Sequence, residues 1–216
     1  MLLAVVATER EAQAVLDGLP GPADHLTVGP FDARGSGPLV VLVSGIGAPA
    51  AAAATATALA LGPYDAALSL GICGGFAAAG LDLGDLVVAD PVVEADIGVA
   101  AEEGWLSLGA QWPSPGARGL AAAIAARHGQ VLTVNTVTST DERAAELLRR
   151  HPGSLAEAME GGGVARSAHA FGVAAYEVRS VSNAVGRRAR ERWDVEGALA
   201  ALTRVAPVLI AFLEPA

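Results

Sequence analysis

A single cysteine rules out an internal disulfide and fits a reducing cytosol. Aromatic residues are scarce, at 4% of the chain. That scarcity disfavours an aromatic-rich β-sandwich and favours helices packed closely on a sheet. Basic residues are outnumbered, 14 Lys+Arg against 23 Asp+Glu, which leaves a net charge of −9. A phosphate-backbone partner selects a basic surface, so nucleic acid is excluded as a ligand class. The one basic cluster, Arg187, Arg188, Arg190 and Arg192, is interrupted by Glu191 and by composition alone suits a solvated helix start. His25, His128, His151 and His169 show no i, i+4 or paired-ligand spacing, so neither a metal site nor any cofactor is expected.

Long uninterrupted hydrophobic runs are missing as well. The longest uncharged stretch, Gly35 to Tyr64, exceeds the roughly 20 residues a membrane span needs. Ser44-Gly45-Ile46-Gly47 and Pro49 break it into a β run and an Ala-rich helix, and Ala inserts weakly into membranes. No cationic segment precedes an apolar one at the N-terminus. The expectation is a soluble, cytoplasmic protein with no membrane partner.

What is present is an α/β pattern. Its 216 residues suit one domain, 1–216, able to bury roughly 70% of its unfolded surface. Strand-like runs fall at Leu2–Ala7, Leu39–Val43, Ala66–Leu70, Leu86–Ala89, Val131–Val137 and Ala175–Val181. Helical patterns lie between them, at Glu9–Asp17, Ala50–Leu61, Ala117–Arg127, Asp141–Arg149, Gly161–Ala170 and Val195–Leu213. Thr140 and Asp194 supply N-caps for the fourth and sixth. Alternation of this kind predicts a largely parallel or mixed sheet. Ala95–Pro115, rich in glycine and carrying two tryptophans, reads as a long functional loop.

The candidate site residues cluster after strand ends, where open α/β sheets bind ligands. Gly45-Ile46-Gly47-Ala48-Pro49-Ala50 matches G-x-G-x-x-A. A dinucleotide site also needs an acid at the end of the next strand. Asp65 precedes that strand instead, so a tight turn beside a ligand is the better reading. Gly71-Ile72-Cys73-Gly74-Gly75 reads as a loop that lets backbone approach a flat ligand. Cys73 within it suits a small apolar filler, since no His lies near in sequence to activate it. Glu11 stands in the first turn of a helix, where an acid can simply complement the dipole or can activate a water. Glu160 heads another helix after a short strand, and an ionised carboxylate there can accept from two vicinal ribose hydroxyls. Ser182-Asn183 ends a β-branched run, and an amide suits a purine edge.

Together these elements resemble the nucleoside phosphorylase/nucleosidase superfamily over essentially the whole chain. The matching residues are the first strand followed by Thr8-x-x-Glu11, Ser44–Gly47, Gly71–Gly75, Leu83–Val88, Met159-Glu160 and Arg179 to Asn183. The layout is similar to methylthioadenosine/S-adenosylhomocysteine nucleosidase, except that Ser182-Asn183 stands where that family has Ser-Asp. Ala95–Gly98, Asn135–Thr138, Ala156–Gly161 and Ser182–Gly186 look like futalosine hydrolase. The resemblance implies a single-domain three-layer α/β/α sandwich around a mixed sheet, and a homo-oligomer, dimer or tetramer. It also implies hydrolysis of futalosine to hypoxanthine and dehypoxanthine futalosine, in the futalosine route to menaquinone. Under it, Glu11 is the base and Asn183 stabilises the leaving purine. Glu160 and Met159 hold the ribose; Ile72, Gly74, Val137 and Ser182 join Asn183 around the base. Arg187 and Arg188 are candidates for the aryl carboxylate of the substrate. A purine nucleosidase or phosphorylase acting on another 6-oxopurine or 6-aminopurine nucleoside is the alternative.

The amide has its own physical argument. Adenine presents an acceptor at N7 beside an amino donor, whereas a 6-oxopurine presents N7 beside the acceptor O6. As the glycosidic bond breaks, N7 gains a proton. Asn183 can then donate to O6 and accept from N7–H, which favours hypoxanthine as the base released.

Overall fold

Continuous apolar runs form the centre of the sheet. Every residue of β1 (Leu2–Val6) is buried. Leu2, Ala4 and Val6 pack toward one side and Leu3 and Val5 toward the other, as the two-residue period of a strand requires. β4 (Leu39–Val43) and β5 (Ala66–Gly75) flank it, both parallel to it. Parallel strands buried on both faces need helices on both. α1 (Glu9–Asp17), α3 (Ala117–Ala123) and α6 (Val195–Leu213) cover the first side, where Val15, Leu120 and Val205 join Leu2 and Val6. α2 (Ala48–Leu61) and α5 (Gly161–Ala170) cover the second, with Ala51, Ala54, Val164 and Ala168 against Leu3 and Val5. The three-layer α/β/α arrangement around a mixed sheet is therefore as expected. It is seen in a computed structural model that describes residues 1–102, 104–187 and 193–213.

At one end the sheet closes on itself. β12 (Ala174–Ala184) runs parallel to β5 and antiparallel to β6 (Leu86–Glu94). β10 (Arg127–Thr133) follows β6 in parallel, and the three-residue β11 (Ala156–Ala158) follows β10. β11 then pairs antiparallel with β5, so five strands form a ring. Cys73, Val87, Val92, Val131, Ala156 and Val181, drawn from all five, make one apolar cluster. Beyond β4 the sheet continues antiparallel through β3 (Phe31–Ser36) to β2 (Asp24–Val28).

Several boundaries differ from the sequence reading. Gly71–Gly75 is not a loop but the end of β5, registered against β12 and β11. The ring supplies the backbone partners that a free loop would lack. The third helix stops at Ala123 rather than Arg127, because Ala125 turns to φ 53° and the chain enters β10 four residues earlier than expected. Ala95–Pro115 contains a hairpin, β7 (Gly98–Ala101) with β8 (Gly104–Ser107), and the short β9 (Gln111–Trp112) paired to β6. β2 and β3 were not expected, since Asp24, His25, Asp32 and Arg34 interrupt their apolar pattern. The N-caps hold: Thr140 accepts from Arg143 N–H ahead of α4 (Asp141–Arg150), and Asp194 accepts from Gly197 N–H.

By length and composition α6 could cross a bilayer. Its Leu202, Val205, Ala206 and Leu209 are instead buried within the fold, and Thr203 Oγ1 donates to Ala14 O of α1 at 2.8 Å. It is a core helix.

Candidate active site

Thr8 ends the first strand turn and caps α1. Its hydroxyl accepts from Glu11 N–H (3.3 Å), while Thr8 N–H and Oγ–H both donate to Glu11 Oε2 at 3.0 and 2.8 Å. This capping box fixes the Glu11 carboxylate at the carboxyl end of β1. The other oxygen, Oε1, reaches across and accepts from Ile72 N–H of β5 at 3.1 Å. Capping a helix and lining a cavity are thus not exclusive roles here. Burial pushes the Glu11 carboxyl above its ordinary range, against the opposing pull of Arg179.

Glu160 is the N-cap of α5 but makes no side-chain hydrogen bond to that helix. Its Oε1 accepts from Gly47 N–H at 3.0 Å, and its Oε2 is 3.2 Å from Arg179 Nη1. Gly47 sits at φ 98°, a conformation that suits glycine and aims its amide from the start of α2 toward the acid. The G-x-G turn therefore serves a carboxylate of the same chain rather than a cofactor phosphate, with the positive end of α2 favouring that charge.

Arg179 ties the acids together. It is 1% exposed, bonds Glu177 Oε1 through Nε at 2.8 Å, and donates to Ser69 Oγ at 2.7 Å. Three buried carboxylates, Glu11, Glu160 and Glu177, surround one guanidinium. Burial also raises the Glu177 carboxyl. Gly71 is required at the crossing point: a β-carbon there would lie 2.5 Å from Glu11 Oε1 and 2.6 Å from Arg179 Nη1.

Asn183 completes the site from β12, where a register shift between Val181 and Asn183 turns the strand end. Its Oδ1 accepts from Ser182 Oγ at 2.8 Å, and its Nδ2 donates to Ala184 O at 3.0 Å. One N–H and one lone pair of the amide are left over by valence.

These groups open onto one cavity of about 250 Å³. Glu11, Ile72, Gly74, Val137, Met159, Glu160, Ser182 and Asn183 all line it. Of the sequence candidates, Arg187 is exposed and not part of that lining; its backbone N–H is bonded to Asp141 Oδ1 at 2.8 Å. Arg188 lies outside the described residues. Cys73 is buried in the wall with its thiol pushed up to about 12, as an inert filler requires.

The sequence reading missed Arg179, Glu157, Ile46 and Trp193. The last three line the cavity; Arg179 stands behind its wall. A signal existed for Arg179: Glu177 and Arg179 sit at alternate positions of a central β-branched strand, where two charges are tolerated only as a pair.

A ring-closed mixed sheet, with one acid in the helix after β1, a second acid after β11 and an amide near the end of β12, is the architecture that frames this cavity. It is that of the phosphorylase superfamily, whose family model matches residues 3–216. Curated relatives narrow this. The chain is 43% identical over 210 residues to the futalosine hydrolase of Acidothermus cellulolyticus, covering 91% of this chain and 85% of that one. It is 50% identical over 159 residues to the futalosine hydrolase of Streptomyces coelicolor, covering 68% and 67% of the two. The chain belongs to the futalosine hydrolase family. Among solved structures, native futalosine hydrolase of Helicobacter pylori superposes with a TM-score of 0.85 at 20% identity, over 98% of this chain and 97% of that one. The 5′-methylthioadenosine/S-adenosylhomocysteine nucleosidase of Neisseria meningitidis gives 0.85 at 22% identity, over 97% and 98%. These two likenesses concern the fold.

Proposed function

We propose that this protein is a soluble N-glycosyl hydrolase that releases hypoxanthine from futalosine, working in the cytoplasm as a homo-oligomer on the futalosine route to menaquinone. The observation that supports this most is the convergence of Glu11, Glu160 and Asn183 on one cavity, taken with relatives that are futalosine hydrolases. Chemistry of this kind loosens the C1′–N9 bond toward an oxocarbenium-like ribose. Glu160 keeps a lone pair on each oxygen after bonding Gly47 and Arg179, and these accept the 2′- and 3′-hydroxyls. Met159 packs beside the sugar. Glu11, steadied by Thr8 and Ile72, orients a water and takes its proton. Asn183 meets O6 and N7–H of the departing base with its remaining donor and acceptor, while Ser182 holds its amide in plane.

A phosphorylase would need a net positive field where the water stands. Among the described residues, Arg179 is the guanidinium behind this wall, and it is engaged by Glu160 and Glu177. Arg10 is paired with Glu196 at the surface. Charge balance therefore favours water. Chromatography of the products formed from futalosine, with and without phosphate, tests the proposal. Free hypoxanthine at a rate independent of phosphate is expected; release that requires phosphate, or none at all, overturns it.

A further inference from the structure

Gly74 of β5 is the register partner of two residues at once: Asn183 on β12 and Glu157 on β11. All three line the cavity. With neighbouring strands about 4.7–4.9 Å apart, the two flanking backbones stand roughly 9–10 Å from each other across the glycine. A β-carbon at position 74 would sit 3.3 Å from Asn183 Nδ2, 3.7 Å from Glu157 Cγ and 2.8 Å from Val185 Cγ2. The bare backbone therefore floors a slot with an amide on one side and a carboxylate on the other.

The carboxylate is held in place. Glu157 is 5% exposed; its Oε1 accepts from Thr138 N–H at 2.8 Å and its Oε2 from Thr138 Oγ–H at 2.6 Å. Burial pushes the Glu157 carboxyl above its ordinary range, while the two Thr138 donors pull the other way and suit the ionised, acceptor-only form. One lone pair per oxygen remains for a ligand. A planar base above Gly74 thus meets a donor and an acceptor from Asn183, and only acceptors from Glu157. The lactam edge of a 6-oxopurine carries the complementary order: N7–H and O6, then N1–H beyond O6. Adenine carries an acceptor at N1 and would face a second acceptor with no proton between them.

We infer that Glu157 is a specificity-determining residue that accepts N1–H of a 6-oxopurine, extending the edge that Asn183 meets at O6 and N7. This rests on the hydrolase reading above and names the second residue that sets its base preference. Rejection of a base that cannot supply the proton follows from leaving a buried carboxylate unmatched.

Calorimetric titration of the wild type and Glu157→Gln with hypoxanthine and with 1-methylhypoxanthine tests the inference. The wild type is expected to bind hypoxanthine at least about tenfold more tightly than the N1-methylated base, as a lost buried hydrogen bond to a charged group implies. The Gln variant is expected to narrow that ratio severalfold. Equal binding of the two bases by wild type overturns the inference and leaves the hydrolase reading standing. An unchanged ratio in the variant, with both bases weakened alike, reduces Glu157 to a support for Thr138 and also overturns it. Failure of wild type to bind either base removes both readings together.

Discussion

Arg179, in the middle of β12, and Glu160, at the head of α5, form an ion pair of 3.2 Å with side chains 1% and 7% exposed. That contact links the group assigned to the sugar with the cluster that surrounds Glu11. Arg179→Met leaves Glu11, Glu160 and Glu177 without their common cation. Breaking such a buried arrangement costs about 3–5 kcal/mol. The expected result is a lower urea midpoint at neutral pH, with the deficit narrowing in acid as the carboxyls take up protons.

Glu11→Gln is expected to lower kcat by roughly 10²–10⁴, the usual worth of a general base, while hypoxanthine binding persists. Because burial raises the Glu11 carboxyl, activity in the wild type should fall with acid at a pH above the ordinary carboxylate range. An acid limb of kcat/KM at or below about 4.3 contradicts this. Stability follows the same group with a definite sign. Its favourable contribution is full below the ordinary carboxyl value of 4.5 and is lost as pH rises through the raised folded value. The Gln variant, lacking that titration, should gain relative to wild type between acid and neutral pH in denaturant titrations.

Asn183→Asp should shift preference from 6-oxo toward 6-amino nucleosides. The Asn amide now donates to Ala184 O at 3.0 Å. An ionised Asp would face that carbonyl, so the variant must hold a proton to work. Overall rates should fall and decline further as pH rises, with the ratio of kcat/KM for inosine and adenosine as the readout. An unchanged ratio would falsify the edge-matching argument.

Gly71→Ala places a methyl group 2.5 Å from Glu11 Oε1 and 2.6 Å from Arg179 Nη1. Overpacking of this kind costs about 1–3 kcal/mol. Displacing the base by around an ångström should lower kcat by about 10². Far-ultraviolet circular dichroism and steady-state kinetics together separate misfolding from misplacement.

Arg187→Glu should raise KM for futalosine more than for inosine if the Arg187 guanidinium meets the aryl carboxylate. Its backbone is anchored to Asp141 and its side chain is exposed, so the fold should be unaffected. Equal changes for the two nucleosides would remove Arg187 from that role.

The layered fold was legible because strand runs such as Leu39–Val43 and amphipathic stretches such as Asp141–Arg149 report burial directly in their periodicity. The acids were legible because each follows a strand end, and the amide because it closes a β-branched run, near the end of β12. Ring closure was not, since β11 is three residues long and its pairing with β5 depends on Gly74 and Gly75, residues that read locally as a turn. Glu157 was hidden for the same reason: only the β11–β5 register reveals that it shares a floor with Asn183.

The five-strand circle has a weak joint. β11 touches β5 at only two registered positions, Ala156 with Gly75 and Glu157 with Gly74. Short segments with few partners open at lower free energy than the global transition. Parting there would withdraw Met159, Glu160 and Glu157 from the cavity in one motion, while Glu11 kept its bonds to Thr8 and Ile72. Heat or mild denaturant should therefore abolish turnover before helical content declines, and a bound nucleobase should act as a clasp that delays it.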